Sequence, residues 1–155
     1  MSDSKTIKLT YRQATEISDG IAALDATDKE KGKPLYKFDQ LTKLSFSAKR
    51  RTLAGHVEVL GERRNAMLKE HNITGLKNDK DQPVDAPDDV KSFNEAWEKL
   101  VKSEVEGDFT FRPISIEELK LDANQIPIWV LTAIDVILTG APDEGGKKKE
   151  TSADE

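Results

Sequence analysis

Two amphipathic stripes of helical period, separated by one polar loop, constrain this chain more than any other feature. Leu53, Val57, Leu60 and Met67 recur at intervals of four, three and seven, with Ala54 and Leu68 alongside. Val90, Phe93, Trp97, Leu100 and Val101 repeat the pattern, and Val105 continues it. Such spacing gathers apolar side chains on one face of a helix and leaves the other face to water. The first stripe predicts a long helix, capped by Ser45 or Ser47 and ending near His71. The second predicts a helix opened by Pro87, Asp88 and Asp89 and ended by Gly107. Proline fits a first turn, and aspartates suit the positive end of the helix dipole. Between the two, Asn72 to Pro87 reads as an exposed loop with turn chemistry at Asn72 and Gly75. One connection between two such stripes predicts an antiparallel hairpin, with Leu53, Val57 and Leu60 against Phe93, Trp97 and Leu100.

The remaining segments are shorter. Ile7, Leu9 and Tyr11 alternate with polar residues, which predicts a strand. Thr10 and Gln13 have the spacing of a capping box, and Ala14, Ile17, Ile21 and Leu24 follow as a helical stripe ending near Asp25. Gly20 weakens that helix. Ala26 to Pro34 is a charged loop, and Leu35 to Phe38 is either a second short strand or an extended lead-in. Phe109 and Phe111 share one side of an extended segment that Pro113 limits. Ser115 and Glu118 predict a brief capped turn, and Pro127 a last helix to Thr139, stopped by Gly140 and Pro142. Ala141 to Glu155 holds no large apolar residue, which predicts a disordered tail. The expected architecture is α+β and helix-dominated: an antiparallel helical hairpin, additional short helices and a small two- or three-stranded sheet. It forms a single helix-rich domain over residues 1–140, followed by the tail 141–155.

Composition narrows the function. Hydrophobic residues make up 36% of the 155 and charged residues 34%, which favours a thin or two-layer body with much polar cover. The 24 basic and 29 acidic residues leave a net charge of −5, which argues against generic duplex-DNA binding. The absence of cysteine removes disulfides, thiolate nucleophiles and zinc–thiolate sites. Ile126 to Leu138, the longest apolar stretch, is interrupted and falls short of the roughly 20 residues a membrane span takes. The polar start, Met1 to Lys8, lacks a signal-peptide core. The expectation is a cytoplasmic protein with no membrane partner.

No catalytic pattern emerges. No Gly-x-Ser-x-Gly elbow occurs, and His56 and His71 stand too far apart on one helix to share a metal. Asp79, Asp81 and Asp85 suggest calcium, but an EF-hand counted from Asp79 needs glycine at its sixth place, where Val84 stands. Gly145-Gly146-Lys147 is followed by no helix and is no phosphate loop. Neither a cofactor nor an enzyme is expected. The candidate contact face is the basic helix, with Lys49, Arg50, Arg51, Arg63 and Arg64. From Lys43 to His71 there are seven basic and three acidic residues; from Asp88 to Glu106, six acidic and three basic. The hairpin therefore sets a basic helix against an acidic one, with most of these charges read as solvated faces.

Leu9 to Asp25, Pro34-Leu-Tyr-Lys-Phe38, Phe93 to Leu100 and Ile126-Pro-Ile-Trp-Val-Leu131, in that order around a charged hairpin, resemble an uncharacterised family of short proteins encoded in tailed-bacteriophage and prophage genomes. These are packing patterns, so no functional residue is carried over. The resemblance implies a viral origin and a protein partner, either a phage structural protein or a host protein. Two roles follow: an accessory to virion assembly or structure, in the infected cell or on the virion, or a small inhibitor of a host enzyme or defence complex.

Overall fold

A computed structural model describes residues 4–139. Its elements run β1 (Lys5–Ile7), α1 (Tyr11–Leu24), α2 (Gln40–Glu70), α3 (Pro87–Val101), β2 (Phe109–Phe111), β3 (Ile114–Ser115), a 3₁₀ turn (Ile116–Leu119), α4 (Ile128–Ala133), a second 3₁₀ turn (Asp135–Ile137) and β4 (Leu138–Thr139). The fold is helix-dominated α+β. Its strands make two two-stranded sheets: β1 pairs antiparallel with β2, and β3 pairs parallel with β4.

The central element is α1. Thr10 and Gln13 close the expected capping box, so Tyr11 opens the helix instead of ending a strand. Tyr11, Ala14, Ile17, Ile21 and Leu24 are all buried. They pack mainly against α2, while a second flank of α1 meets α4. That second approach runs over Gly20, where an added Cβ would lie 2.7 Å from Ile134 Cγ2 and 3.1 Å from Ala133 Cβ. The glycine that weakens the helix in isolation is what lets α4 come close.

The long helix starts earlier than Ser45 or Ser47 suggests. Asp39 is its N-cap residue but makes no side-chain cap bond; its carboxylate instead accepts from Lys120 Nζ at 2.8 Å. Ser45 and Ser47 lie inside the helix. The helix ends as expected, with His71 at the C-cap and Asn72 in the left-handed region at φ 57°.

The hairpin of α2 and α3 is antiparallel: His71 meets Ser92 and Phe93, whereas Arg64, two turns back, meets Trp97. The stripes nevertheless engage differently from the expectation. Leu53 and Leu60 join the core packed on α1, Val57 is only half-buried, and α2 touches α3 mostly toward its C-terminal end. Among the described residues no ion pair joins α2 to α3; Glu98 of α3 pairs with Arg12 of α1 and Lys102.

Two other boundaries move. α3 stops at Val101, and Gly107 serves a later turn at φ 86°. Val105 is buried beyond the helix, its amide donating to the Leu9 carbonyl at 2.8 Å. The last helix breaks at Ile134 into a 3₁₀ turn and then β4, whose residues pair with β3. Residues 140–155, and with them the expected stop at Gly140 and Pro142 and the tail, lie outside the described residues.

Candidate protein-interaction groove

Leu35 to Phe38 is the extended lead-in and not a strand. It is held by Asn124, a buried residue to which the sequence drew no attention. Asn124 Oδ1 accepts from the Lys37 amide at 2.9 Å, and its Nδ2 donates to the carbonyls of Lys37 and Leu119, each at 2.9 Å. Satisfying three backbone groups at once fixes the segment against the domain. Tyr36 and Phe38 are thereby placed beside the start of α2, with the Phe38 ring edge-on to Phe46 at 5.6 Å.

These rings close one end of a groove of about 960 Å³ between α1 and the N-terminal half of α2. Ile21 and Leu24 line it from α1, Phe46 and Val57 from α2. Leu44 stands on the same wall with 65% of its surface exposed. The charged lining comprises Lys43, Arg50 and Arg51, and the carboxylates Asp25 and Glu58. None of these five makes an ion pair among the described residues.

The five basic residues singled out in the sequence therefore separate into three environments. Arg50 and Arg51 are exposed and border the groove. Arg63 lies over the Tyr11 ring at 5.6 Å, and Arg64 over the Trp97 ring at 5.9 Å, so both guanidiniums cover aromatic surface of the domain itself. Lys49 belongs to no contact face. It is 4% exposed, and its Nζ donates to Ser45 Oγ at 2.6 Å.

Lys49 sits near a small polar cluster in which Glu118 is the hub. Glu118 accepts from the Ser115 amide at 2.9 Å, from Thr42 Oγ1 at 3.1 Å and from Arg112 at 3.2 Å. Burial alone would raise its pKa, but the Ser115 amide, Arg112 and Thr42 outweigh that and hold the carboxyl below its ordinary range. For Lys49, burial and then the Arg112 charge lower the pKa from 10.5 to about 8, with Glu118 pulling the other way. The cluster ties α2 to the Ser115–Glu118 turn; it presents no open site.

A second, more open hollow of about 930 Å³ lies along α3, lined by Val90, Asn94, Glu95, Glu98, Pro83 and Asp85. Its acids are largely engaged. Asp85 accepts from the Thr74 hydroxyl and amide and from the Gly75 amide at 2.7–2.9 Å, which holds its carboxyl below the ordinary range. Glu98 takes Arg12 Nη2 at 2.9 and 3.0 Å. No three His, Asp or Glu side chains gather in metal-binding geometry among the described residues. No helix among them is long and apolar enough to cross a membrane.

The sequence misses the groove because its walls come from three separate segments. Leu44 falls off the main stripe and signals exposed apolar surface, but only the docking of α1 and of the Pro34–Phe38 segment turns that surface into a concavity. Compared with protein-family models, curated proteins and solved structures, the chain matches none.

Proposed function

We propose that this chain is a non-enzymatic protein-interaction module that seats a segment of a partner protein between α1 and α2. The observation that carries the reading is the groove itself: apolar, open to solvent and bordered by exposed arginines without ion-pair partners among the described residues. An apolar concavity with convergent polar groups is the usual form of a binding site. Exposed charges around it steer and select a partner more than they add affinity. In the setting implied by the resemblance, the partner is a phage structural protein and the module is an accessory to virion assembly or structure.

The alternative is an inhibitor of a host enzyme or defence complex that imitates nucleic-acid charge. That role draws on the acidic α3, where Glu98 is already paired with Arg12 and Lys102, and on Asp85 of the preceding loop, which is bound to Thr74 and Gly75. The groove is therefore the preferred surface.

Placing a photo-crosslinking residue at Leu44 in cells that make the partner tests the reading, with the equally exposed Leu76 as control. A discrete adduct from position 44 and none from 76 is expected. No adduct at 44, or the same adducts from both positions, overturns it.

A further inference from the structure

We infer that the groove between α1 and α2 takes an amphipathic helix whose polar flank is acidic. This rests on the groove being a protein-binding surface and adds what that surface selects. The α2 wall runs from Gln40 to Glu58, about 27 Å at the α-helical rise. That is longer than a small ligand and matches the apolar face of a helix of several turns. The lining is of the right kind, since the partly buried Tyr36, Phe38 and Val57 and the exposed Ala54 leave apolar surface open to i, i+3, i+4 and i+7 anchors, over a floor of Ile21, Leu24 and Phe46. Leu44, standing exposed among them, is a knob without a hole.

Lys43, Arg50 and Arg51 all stand on one wall within three turns of α2, and none has an ion-pair partner among the described residues. The carboxylates lie elsewhere, Asp25 past the end of α1 and Glu58 at the far end of the α2 wall. The lining carries three cations against two carboxylates, so total charge decides little and position decides the selection. A helix seated here meets the three cations along its flank. Glutamates there gain charge-assisted hydrogen bonds, from Arg50 and Arg51 above all, and lysines meet repulsion.

The test uses the full chain and synthetic probes: helical peptides of about sixteen residues with leucines at helical spacing. One carries glutamate flanks, one lysine flanks, and one is a scramble of the acidic peptide. Dodecanoate serves as a competing anionic amphiphile. Fluorescence anisotropy should show the acidic helix binding at least about tenfold tighter than the lysine helix and the scramble. Arg50→Glu with Arg51→Glu should reverse the order of the two helices, while Leu44→Ser weakens both. Circular dichroism of these surface variants verifies their folding. Equal binding of the acidic and lysine helices overturns the selection and leaves the groove reading to the crosslink at position 44. Equal binding of the scramble, or displacement by dodecanoate with no helix preference, overturns the inference as well.

Discussion

Lys49 Nζ lies 2.6 Å from Ser45 Oγ, one turn back on α2, and that hydroxyl is its sole hydrogen-bond partner among the described residues. The ammonium is buried, Arg112 repels it, and Glu118 is already held by three other donors. A buried charge served this thinly weighs on the folded state.

Stability should therefore rise with pH through an alkaline window. The folded pKa of about 8 lies below the ordinary 10.5. Between those values the unfolded chain keeps a proton that the folded chain has lost, so raising the pH favours folding, by up to about 3 kcal/mol across the window. Lys49→Met removes the buried charge and should stabilise the protein by about 1–3 kcal/mol at pH 7. Its advantage over the unaltered chain should shrink as pH rises from 8 to 10. Urea melts of both proteins across that range measure it; a constant difference would show that Lys49 does not titrate there.

Gly20→Ala should destabilise despite the better helix propensity of alanine. The new methyl meets Ile134 Cγ2 at 2.7 Å, and Ile134 is fully buried with nowhere to retreat. Overpacking of this kind costs about 1–3 kcal/mol. A thermal melt that moves upward would mean that α4 yields easily and is loosely seated on α1.

Phe93 and Trp97 stack at 6.3 Å on α3, yet they are not equivalent. Phe93 is buried, whereas Trp97 is only partly buried and is covered in part by Arg64. Phe93→Ala should cost about 3–4 kcal/mol, within the range for emptying a buried aromatic site, and Trp97→Ala about half as much. Denaturant titrations giving the reverse order would place the tryptophan, not the phenylalanine, in the core.

The two halves of the basic helix should respond differently to charge reversal. Arg63→Glu loses a guanidinium over Tyr11 and should lower stability by about 1 kcal/mol. Arg50→Glu touches only groove and solvent and should change stability by less than about 0.5 kcal/mol. Equal effects in parallel melts would indicate that Arg63 is as free as Arg50.

Local chemistry was legible in the sequence wherever a few neighbouring residues decide the outcome. The boxes at Thr10–Gln13 and Ser115–Glu118, the Pro87 helix start and the His71 stop all occur as read. What was not legible depends on tertiary partners. Asp39 opens α2 while its side chain turns to Lys120, and Ser45 serves Lys49 inside the helix. Leu53 and Leu60 fit an α3 partner by periodicity, but period cannot say that α1 takes most of that face. The basic cluster looks continuous in one dimension. In space, burial removes Lys49 and two aromatic rings occupy Arg63 and Arg64, leaving Arg50 and Arg51 at the groove.

Pairing Lys5 with Phe111 and Ile7 with Phe109 encloses α1, α2 and α3 within one closed circuit of chain. During synthesis the first strand emerges long before its mate, so the helices have time to form and sort their contacts while that strand waits. Helix formation takes about a microsecond or less, whereas contacts between distant parts of a chain carry the entropy of closing the whole circuit. Of the two strand pairings, the β1–β2 ribbon therefore closes the longer circuit, and the burial of Phe109 and Phe111 in the core is what offsets that entropy.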